Sequence, residues 1–133
     1  MVNYVKKNNK EKPEQIQEVL IDLEAEIPEI EATAVVSAEG FPIASALPRN
    51  VDEVRVSAIT AVMLNMGERA AMEFSKGNLT RVIVHGTEGS LITLAAGENA
   101  VLTISATHEA RLGILLLFAE RAAKKVQDIL SDN

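Results

Sequence analysis

The chain has 133 residues, a formal net charge of -6 and no cysteine. This length suits one domain with a single core. The negative charge argues against a protein that binds the nucleic-acid backbone, because such binding depends on clustered lysine and arginine. Without cysteine there is no disulfide, thiolate nucleophile or cysteine zinc site, and the longest apolar run is far shorter than the roughly 20 residues of a membrane span. We therefore expect a cytoplasmic protein without a membrane span.

Residues 1–12 are polar and basic and show no apolar period. We predict that they form a flexible arm, and that a single domain spans residues 13–133. Their lysines are interpreted as solvated, with contact to an acidic surface or an anionic lipid as the alternative. From Pro13 onward, apolar residues recur at helical spacing until Pro28, which predicts the first helix. The other side of this helix is acidic and is interpreted as a solvated face.

Two short apolar runs, residues 32–37 and 41–46, are joined by a turn that contains Gly40. The glycine supplies the positive φ that a tight hairpin loop requires. Pro42 cannot donate a hydrogen bond to a neighbouring strand, so the second strand is predicted at an edge of the sheet or at a bulge. These residues predict the first β-hairpin.

The longest predicted helix, residues 52–75, is apolar on nearly every side. One side is predicted to face the sheet: Val56, Ile59, Met63, Met66, Ala70 and Phe74. The opposite side carries a second apolar strip: Val54, Ala58, Ala61, Leu64 and Met72. A helix that is apolar on both sides is buried on both sides. A chain this short has few internal partners left for the second side, so we predict that another subunit or protein covers it.

Three strands are predicted in succession after the glycine turn that follows the long helix. They span residues 79–85, 90–95 and 100–105 and are joined by short turns that contain glycine. Because short connections join neighbouring strands, the sheet is predicted to be antiparallel.

The last helix is predicted over about residues 109–130, with Thr107 as its cap. Gly113 weakens helix propensity and is interpreted as a point of close contact with a neighbouring element. The order of elements is therefore helix, two strands, helix, three strands, helix, or αββαβββα. This order predicts an α+β fold with helices on both faces of the sheet.

No motif in the sequence predicts catalysis or a cofactor. The two glycine patterns that bind nucleotide phosphates, G-x-x-x-x-G-K-[ST] and G-x-G-x-x-G, do not occur. His85 and His108 have no carboxylate or thiol companions at the spacing of a metal site. Serine does not occur in a G-x-S-x-G motif. We therefore expect a protein that is not an enzyme and that uses neither a cofactor nor a metal.

The residues and the order of elements together resemble the Roadblock/LC7 family. The segments that carry the resemblance are VVSAEGFPIA (35–44), GERAA (67–71), VIVHG (82–86) and LGILL (112–116). The resemblance extends over about residues 14–130. It implies a five-stranded antiparallel sheet of order 2-1-5-4-3, with the middle helix on one face and the terminal helices on the other. It also implies a homodimer or heterodimer in which the third strands pair edge to edge and the middle helices lie side by side.

The resemblance also implies a function. Roadblock/LC7 proteins attach to small Ras-like GTPases as activators, scaffolds or exchange-promoting subunits, or to dynein intermediate chains. A stand-alone domain is most similar to prokaryotic members that regulate a partner GTPase. We therefore expect a non-catalytic dimeric regulator or scaffold of a small Ras-like GTPase. A structural adaptor that ignores the nucleotide state is the alternative, and a small-molecule sensor is a third interpretation that the scarcity of aromatic residues disfavours.

Two groups of residues are predicted to contact the second subunit or the GTPase. The first lies on the middle helix: Val54, Arg55, Ala58, Ala61, Val62, Asn65, Arg69 and Met72. The second lies on the third strand, at an open edge of the kind that proteins usually pair or cover: Leu79, Arg81, Ile83 and His85. Alternatively, Arg81 and His85 guard that edge in a monomer.

The arginines of the middle helix have two interpretations. An arginine beside a bound nucleotide can accelerate GTP hydrolysis, and Arg55 and Arg69 lie on the surface predicted to meet the GTPase. The favoured interpretation is that their long side chains cover apolar surface and pair with glutamate, as Arg69 would with Glu73. Regulation would then act by positioning the switch segments of the GTPase.

Overall fold

The computed structural model describes residues 10–132. Its helices are α1 Lys12–Glu26, α2 Glu53–Glu73 and α3 Leu112–Ser131. Its strands are β1 Ile30–Ser37, β2 Pro42–Ala46, β3 Val82–Gly86, β4 Gly89–Ala95 and β5 Ala100–Thr107. The predicted order αββαβββα is confirmed. Residues 1–9, the greater part of the predicted arm, lie outside the described residues, and α1 begins at the last residue of that arm.

The five strands form one antiparallel sheet in the order β2-β1-β5-β4-β3, which confirms the strand order that the family resemblance implies. β1 and β5 lie near the centre and are largely buried. β2 lies at an edge, and its register with β1 shifts next to Pro42, as the missing N–H of proline predicts. Gly40 has the predicted positive φ, 98°.

The helices occupy opposite faces of the sheet. α1 and α3 pack together on one face, in a large hydrophobic cluster that includes Leu20, Leu102 and Leu115. α2 packs on the other face, in a smaller cluster that includes Leu64 and Val101. The predicted division, with the middle helix on one face and the terminal helices on the other, is confirmed. Across residues 10–132, no helix combines the length and the apolar character needed to span a bilayer.

The side of α2 that faces the sheet differs from the prediction. Its buried residues are Ser57, Thr60, Ala61 and Leu64. The hydroxyls of Ser57 and Thr60 each donate a 2.8 Å hydrogen bond to the backbone carbonyl four residues earlier, so both polar groups are satisfied within the helix. Ile59, Met66 and Phe74, which were predicted to be buried, are exposed. The helix therefore rests on the sheet through Leu64 and three smaller side chains, and leaves several of its large side chains in solvent.

Gly67 allows α2 to lie directly against β3. A Cβ at this position would lie 2.5 Å from Cγ2 of Val82 and 3.1 Å from Cδ2 of Leu79. Leu79 packs in the cluster beneath α2, and β3 begins only at Val82. The prediction that the third strand starts at Leu79 is therefore wrong, because this residue contacts the helix before the strand begins.

The start of α3 also differs from the prediction. Thr107 is the last residue of β5, where it pairs with Gly89 of β4, and its backbone N–H donates a 2.9 Å hydrogen bond to the carbonyl of Glu29. α3 begins at Leu112, and Arg111 precedes it without a side-chain capping bond. The prediction that Thr107 caps this helix is wrong, because β5 continues further than its apolar pattern indicates.

Gly113, in the first turn of α3, has no atom within 4 Å of a Cβ placed there, so the predicted close contact is wrong. We expect Gly113→Ala to raise the free energy of unfolding by about 0.5 kcal/mol, because alanine loses less backbone freedom in a helix. Gly67→Ala is the matched change in α2 and is expected to lower it, because of the contact with Val82. Urea denaturation of both variants measures the difference, and destabilisation by Gly113→Ala would contradict its open surroundings.

Candidate interaction surface

α2 carries a row of apolar side chains that points away from the sheet. We call this row the outer strip: Val54, Ala58, Val62 and Met72. The exposed fractions of Val54, Val62 and Met72 are 66%, 61% and 74%. Asn65 and Arg69, both exposed, continue the same helical spacing between Val62 and Met72. An exposed apolar row of this kind, interrupted by one polar and one charged side chain, is typical of an interaction site.

Two residues that were assigned to the outward side of α2 lie against the rest of the chain. Ala61 is 6% exposed and Leu64 is 9% exposed. Ala61 packs beside the first hairpin, where a Cβ on Gly40 would lie 3.4 Å from the Cβ of Ala61. The assignment of Ala61 to an intermolecular interface is therefore wrong, because its own chain already covers it.

Phe41 lies at the margin of the outer strip. It is 69% exposed and follows Gly40, which packs beside Ala58 and Ala61 of α2. The helical and strand periods did not single out this residue. The sequence did contain one indication that this residue belongs to an interaction surface, a large aromatic side chain directly after a turn glycine. An exposed turn rarely requires such a side chain for folding.

An open cleft lies between α2 and the sheet. Its volume is about 190 Å³. Ile59 and Met63 of α2 line one side, and Leu91 of β4 and Ser105 of β5 line the other. α2 therefore covers only part of its face of the sheet, and an apolar space stays open beside it.

The two edges of the sheet differ. At β2, Gln17 of α1 donates a 3.0 Å hydrogen bond from Nε2 to the backbone carbonyl of Ser45, and Pro42 has no N–H to offer. At the opposite edge, β3 has a strand neighbour on one side, β4, and its residues Val84 and His85 are exposed. Open edges of this kind are usually paired or covered. β3 is therefore the edge available to a second strand.

The polar side chains near β3 are held within the chain. Arg81 donates a 2.6 Å hydrogen bond from Nη2 to Oε2 of Glu120 on α3. His85 Nδ1 lies 2.7 Å from the hydroxyl oxygen of Ser90 on β4. Both side chains are thereby positioned on the face of the sheet that carries α3, away from the outer strip.

The structure places most of the predicted interface residues at the surface. The exposed ones are Val54, Arg55, Ala58, Val62, Asn65, Arg69, Met72 and His85, the half-buried ones are Leu79, Arg81 and Ile83, and Ala61 is buried. The ion pairs of residues 10–132 do not include the predicted pair of Arg69 and Glu73. Both side chains are exposed, where water solvates the charges and such a pair gains little.

The chemistry of this surface is that of apolar contact and strand pairing. Within the described part of the chain, no three His, Asp or Glu side chains converge as a metal site requires. The hydrogen bond to Glu18 and the negative charge of that residue raise the pKa of Lys10, which lies two residues before α1. That pair lies with α1 on the opposite face of the sheet from α2.

The sequence model of the Roadblock/LC7 domain matches residues 16–106. The uncharacterized protein MJ1340 of Methanocaldococcus jannaschii is 32% identical over 98 residues, which cover 74% of this chain and 85% of the relative. The solved Roadblock/LC7 domain from Streptomyces avermitilis has a TM-score of 0.82 at 19% identity and covers 87% of this chain and 98% of that one. The gliding protein MglB from Thermus thermophilus has a TM-score of 0.81 at 20% identity, covering 90% and 91%. The chain therefore belongs to the Roadblock/LC7 family.

Proposed function

We propose that this protein is a non-catalytic, dimeric, cytoplasmic regulator or scaffold that binds a small Ras-like GTPase. The observation that carries the proposal is the outer strip of α2, an exposed apolar surface on the same face as the open part of the sheet. Membership of the Roadblock/LC7 family supports it, because proteins of this family attach to such GTPases. The protein would regulate the GTPase by positioning the switch segments of the GTPase.

The open edge of β3 supports a homodimer. Two copies of β3 would pair antiparallel about a twofold axis perpendicular to the sheet. The sheet would then continue from one subunit into the other, with both α2 helices on the same face. This pairing would satisfy the backbone groups at the edge and cover Val84. A heterodimer with a related Roadblock/LC7 protein would use the same edge.

The outer strip supports binding of the GTPase on the side of α2 that a dimer leaves free. Its apolar centre, with Phe41 at one margin and the charged side chains of Arg55 and Arg69 nearby, has the composition of a protein interface. The switch segments of a Ras-like GTPase change order with the bound nucleotide. A surface that binds one arrangement more tightly than the other shifts the GTPase toward that arrangement.

A retention assay tests the proposed partner. Ras-like GTPases encoded in the same genome are loaded with GDP or with a non-hydrolysable GTP analogue and passed over the immobilised protein. We expect at least one GTPase to be retained about tenfold more strongly in one nucleotide state, and its rate of GTP hydrolysis to change when the protein is added. Arg49→Ala, in the exposed loop before α2, is the control and should leave retention unchanged.

Two results would count against this proposal in different ways. Equal retention in both nucleotide states would favour the structural adaptor. Failure to retain any of the GTPases in either state would contradict the partner class itself.

A further inference from the structure

α2 crosses the whole width of the sheet. Near its start, Glu53 accepts a hydrogen bond from the hydroxyl of Ser45 on the edge strand β2. Further along, Gly67 lies against Val82 of the opposite edge strand, β3. The helix between Glu53 and Gly67 is about 21 Å long, and the four strand spacings beneath it amount to about 19 Å. α2 therefore runs steeply across the strands and reaches the far edge at Gly67.

The last two turns of α2 project beyond that edge. From Gly67 to Phe74 the helix advances about another 10 Å, and within residues 10–132 no strand lies further out than β3. Phe74, the C-terminal cap of the helix, is 74% exposed. A helix end that projects past a sheet edge and carries a phenylalanine is in the position that a second sheet, placed beside β3, would cover.

The cleft beside α2 has the size and the apolar character needed to hold a phenyl ring. Its volume is about 190 Å³, and an engineered apolar cavity of about 150 Å³ is large enough to bind benzene. Val56 and Met63 border the cleft and lie on the same side of α2 as Phe74, because their spacings are close to multiples of the helical period. The ring of Phe74 and the opening of the cleft therefore face the same direction.

A twofold axis brings the ring and the cleft together. α2 crosses β3 at Val82, the first residue of that strand, and leaves the region around Val84 and Gly86 uncovered. When two β3 strands pair antiparallel, the end of each lies beside the start of the other. Each α2 then projects over the open part of the neighbouring sheet. A projection of about 10 Å equals about two strand spacings, which places Phe74 above β4 of the partner subunit.

We infer that Phe74 of each subunit inserts its phenyl ring into the cleft of the other subunit, between α2 and Leu91. This inference rests on the dimer of the proposed function and specifies a side-chain contact between its two subunits. The contact occurs twice, once on each side of the twofold axis. It fills the cleft with protein, so the cleft is part of the dimer interface and is not a small-molecule site.

A single tryptophan tests this contact, because the sequence contains none. Phe74→Trp and Phe41→Trp form a matched pair, since the two phenylalanines are exposed to similar extents, 74% and 69%. Quenching of fluorescence by acrylamide and sedimentation equilibrium are measured for each variant over the same concentration range. As the dimer forms, we expect the quenching constant to fall severalfold in the Phe74→Trp variant and to stay constant in the Phe41→Trp variant.

Because the indole ring of tryptophan is larger than a phenyl ring, the contact is also tested by measuring the dimer association of alanine variants. We expect Phe74→Ala to weaken dimer association by about 30-fold, and Phe41→Ala to leave it unchanged. The inference is wrong if the dimer forms, the tryptophan of the Phe74→Trp variant stays as accessible as that of the Phe41→Trp variant, and Phe74→Ala associates normally. The proposed dimer would still stand in that case. A wild-type protein that sediments as a monomer throughout would overturn the dimer itself.

Discussion

Replacing Gly89 with alanine is expected to lower the free energy of unfolding by about 3 kcal/mol or more. Gly89 begins β4 directly after the turn from β3 and has a φ of 155°. A Cβ there would lie 2.2 Å from the backbone oxygen of Ala106 on β5. A backbone oxygen cannot swing aside as the tip of a side chain can. The methyl group would therefore push β4 away from β5 and disturb the strand pairing that supports β3.

Gly77→Ala is the control for backbone strain alone. Gly77 also has a positive φ, 83°, but a Cβ there would meet nothing within 4 Å. We expect a loss of about 1 kcal/mol, the cost of a left-handed conformation for alanine. Urea denaturation followed by circular dichroism measures both variants. Equal losses would show that the close approach of Gly89 to Ala106 does not contribute to stability.

The hydrophobic periods and the turn glycines were sufficient to predict the order of helices and strands. Each helix is long enough to show its period, and Gly40 marks the first hairpin through the positive φ that it adopts. The order of the strands came from the family resemblance. Alternation along a strand shows that one face is buried, but it does not identify the neighbouring strand.

The orientation of α2 was not predictable from hydrophobicity, because nearly every side of this helix is apolar. The buried side includes Ser57 and Thr60, whose hydroxyls bond to the backbone of the helix itself and so can be buried at low cost. A count of apolar residues therefore did not identify the buried side, although Val56 of the predicted stripe does pack against the smaller cluster. Ala61 was assigned to the interface for the same reason, whereas Ala58 and Val62 are exposed as predicted.

The surroundings of the helical glycines were not predictable from the sequence pattern either. Gly67 and Gly113 both interrupt a helical pattern, yet Gly67 lies against Val82 and Gly113 has open surroundings. What a glycine contacts depends on how the elements pack around it, which a local pattern does not record. The cleft beside α2 is likewise a product of packing, since it exists because the helix covers only part of its face of the sheet.

Ala58→Glu is expected to weaken binding of the GTPase by about 100-fold while the fold and the dimer stay intact. Ala58 is exposed in the middle of the outer strip, one turn from Val54 and one turn from Val62. In the free protein a glutamate there remains in water. In the complex that charge would be enclosed in the apolar centre of the interface, and its desolvation would oppose binding. The retention assay, with sedimentation equilibrium as a check on the dimer, measures the effect.

Ala61→Glu, three positions further along α2, is the matched substitution that acts on the fold. Ala61 is 6% exposed and packs beside Gly40, so a glutamate there would bury an unpaired charge within the chain. We expect a loss of about 4 kcal/mol in the free energy of unfolding, a large part of the total stability of a domain of this size. If Ala58→Glu binds the GTPase as tightly as the wild type, the outer strip is not the binding surface. If Ala61→Glu unfolds at the wild-type urea concentration, this side of α2 does not support the fold.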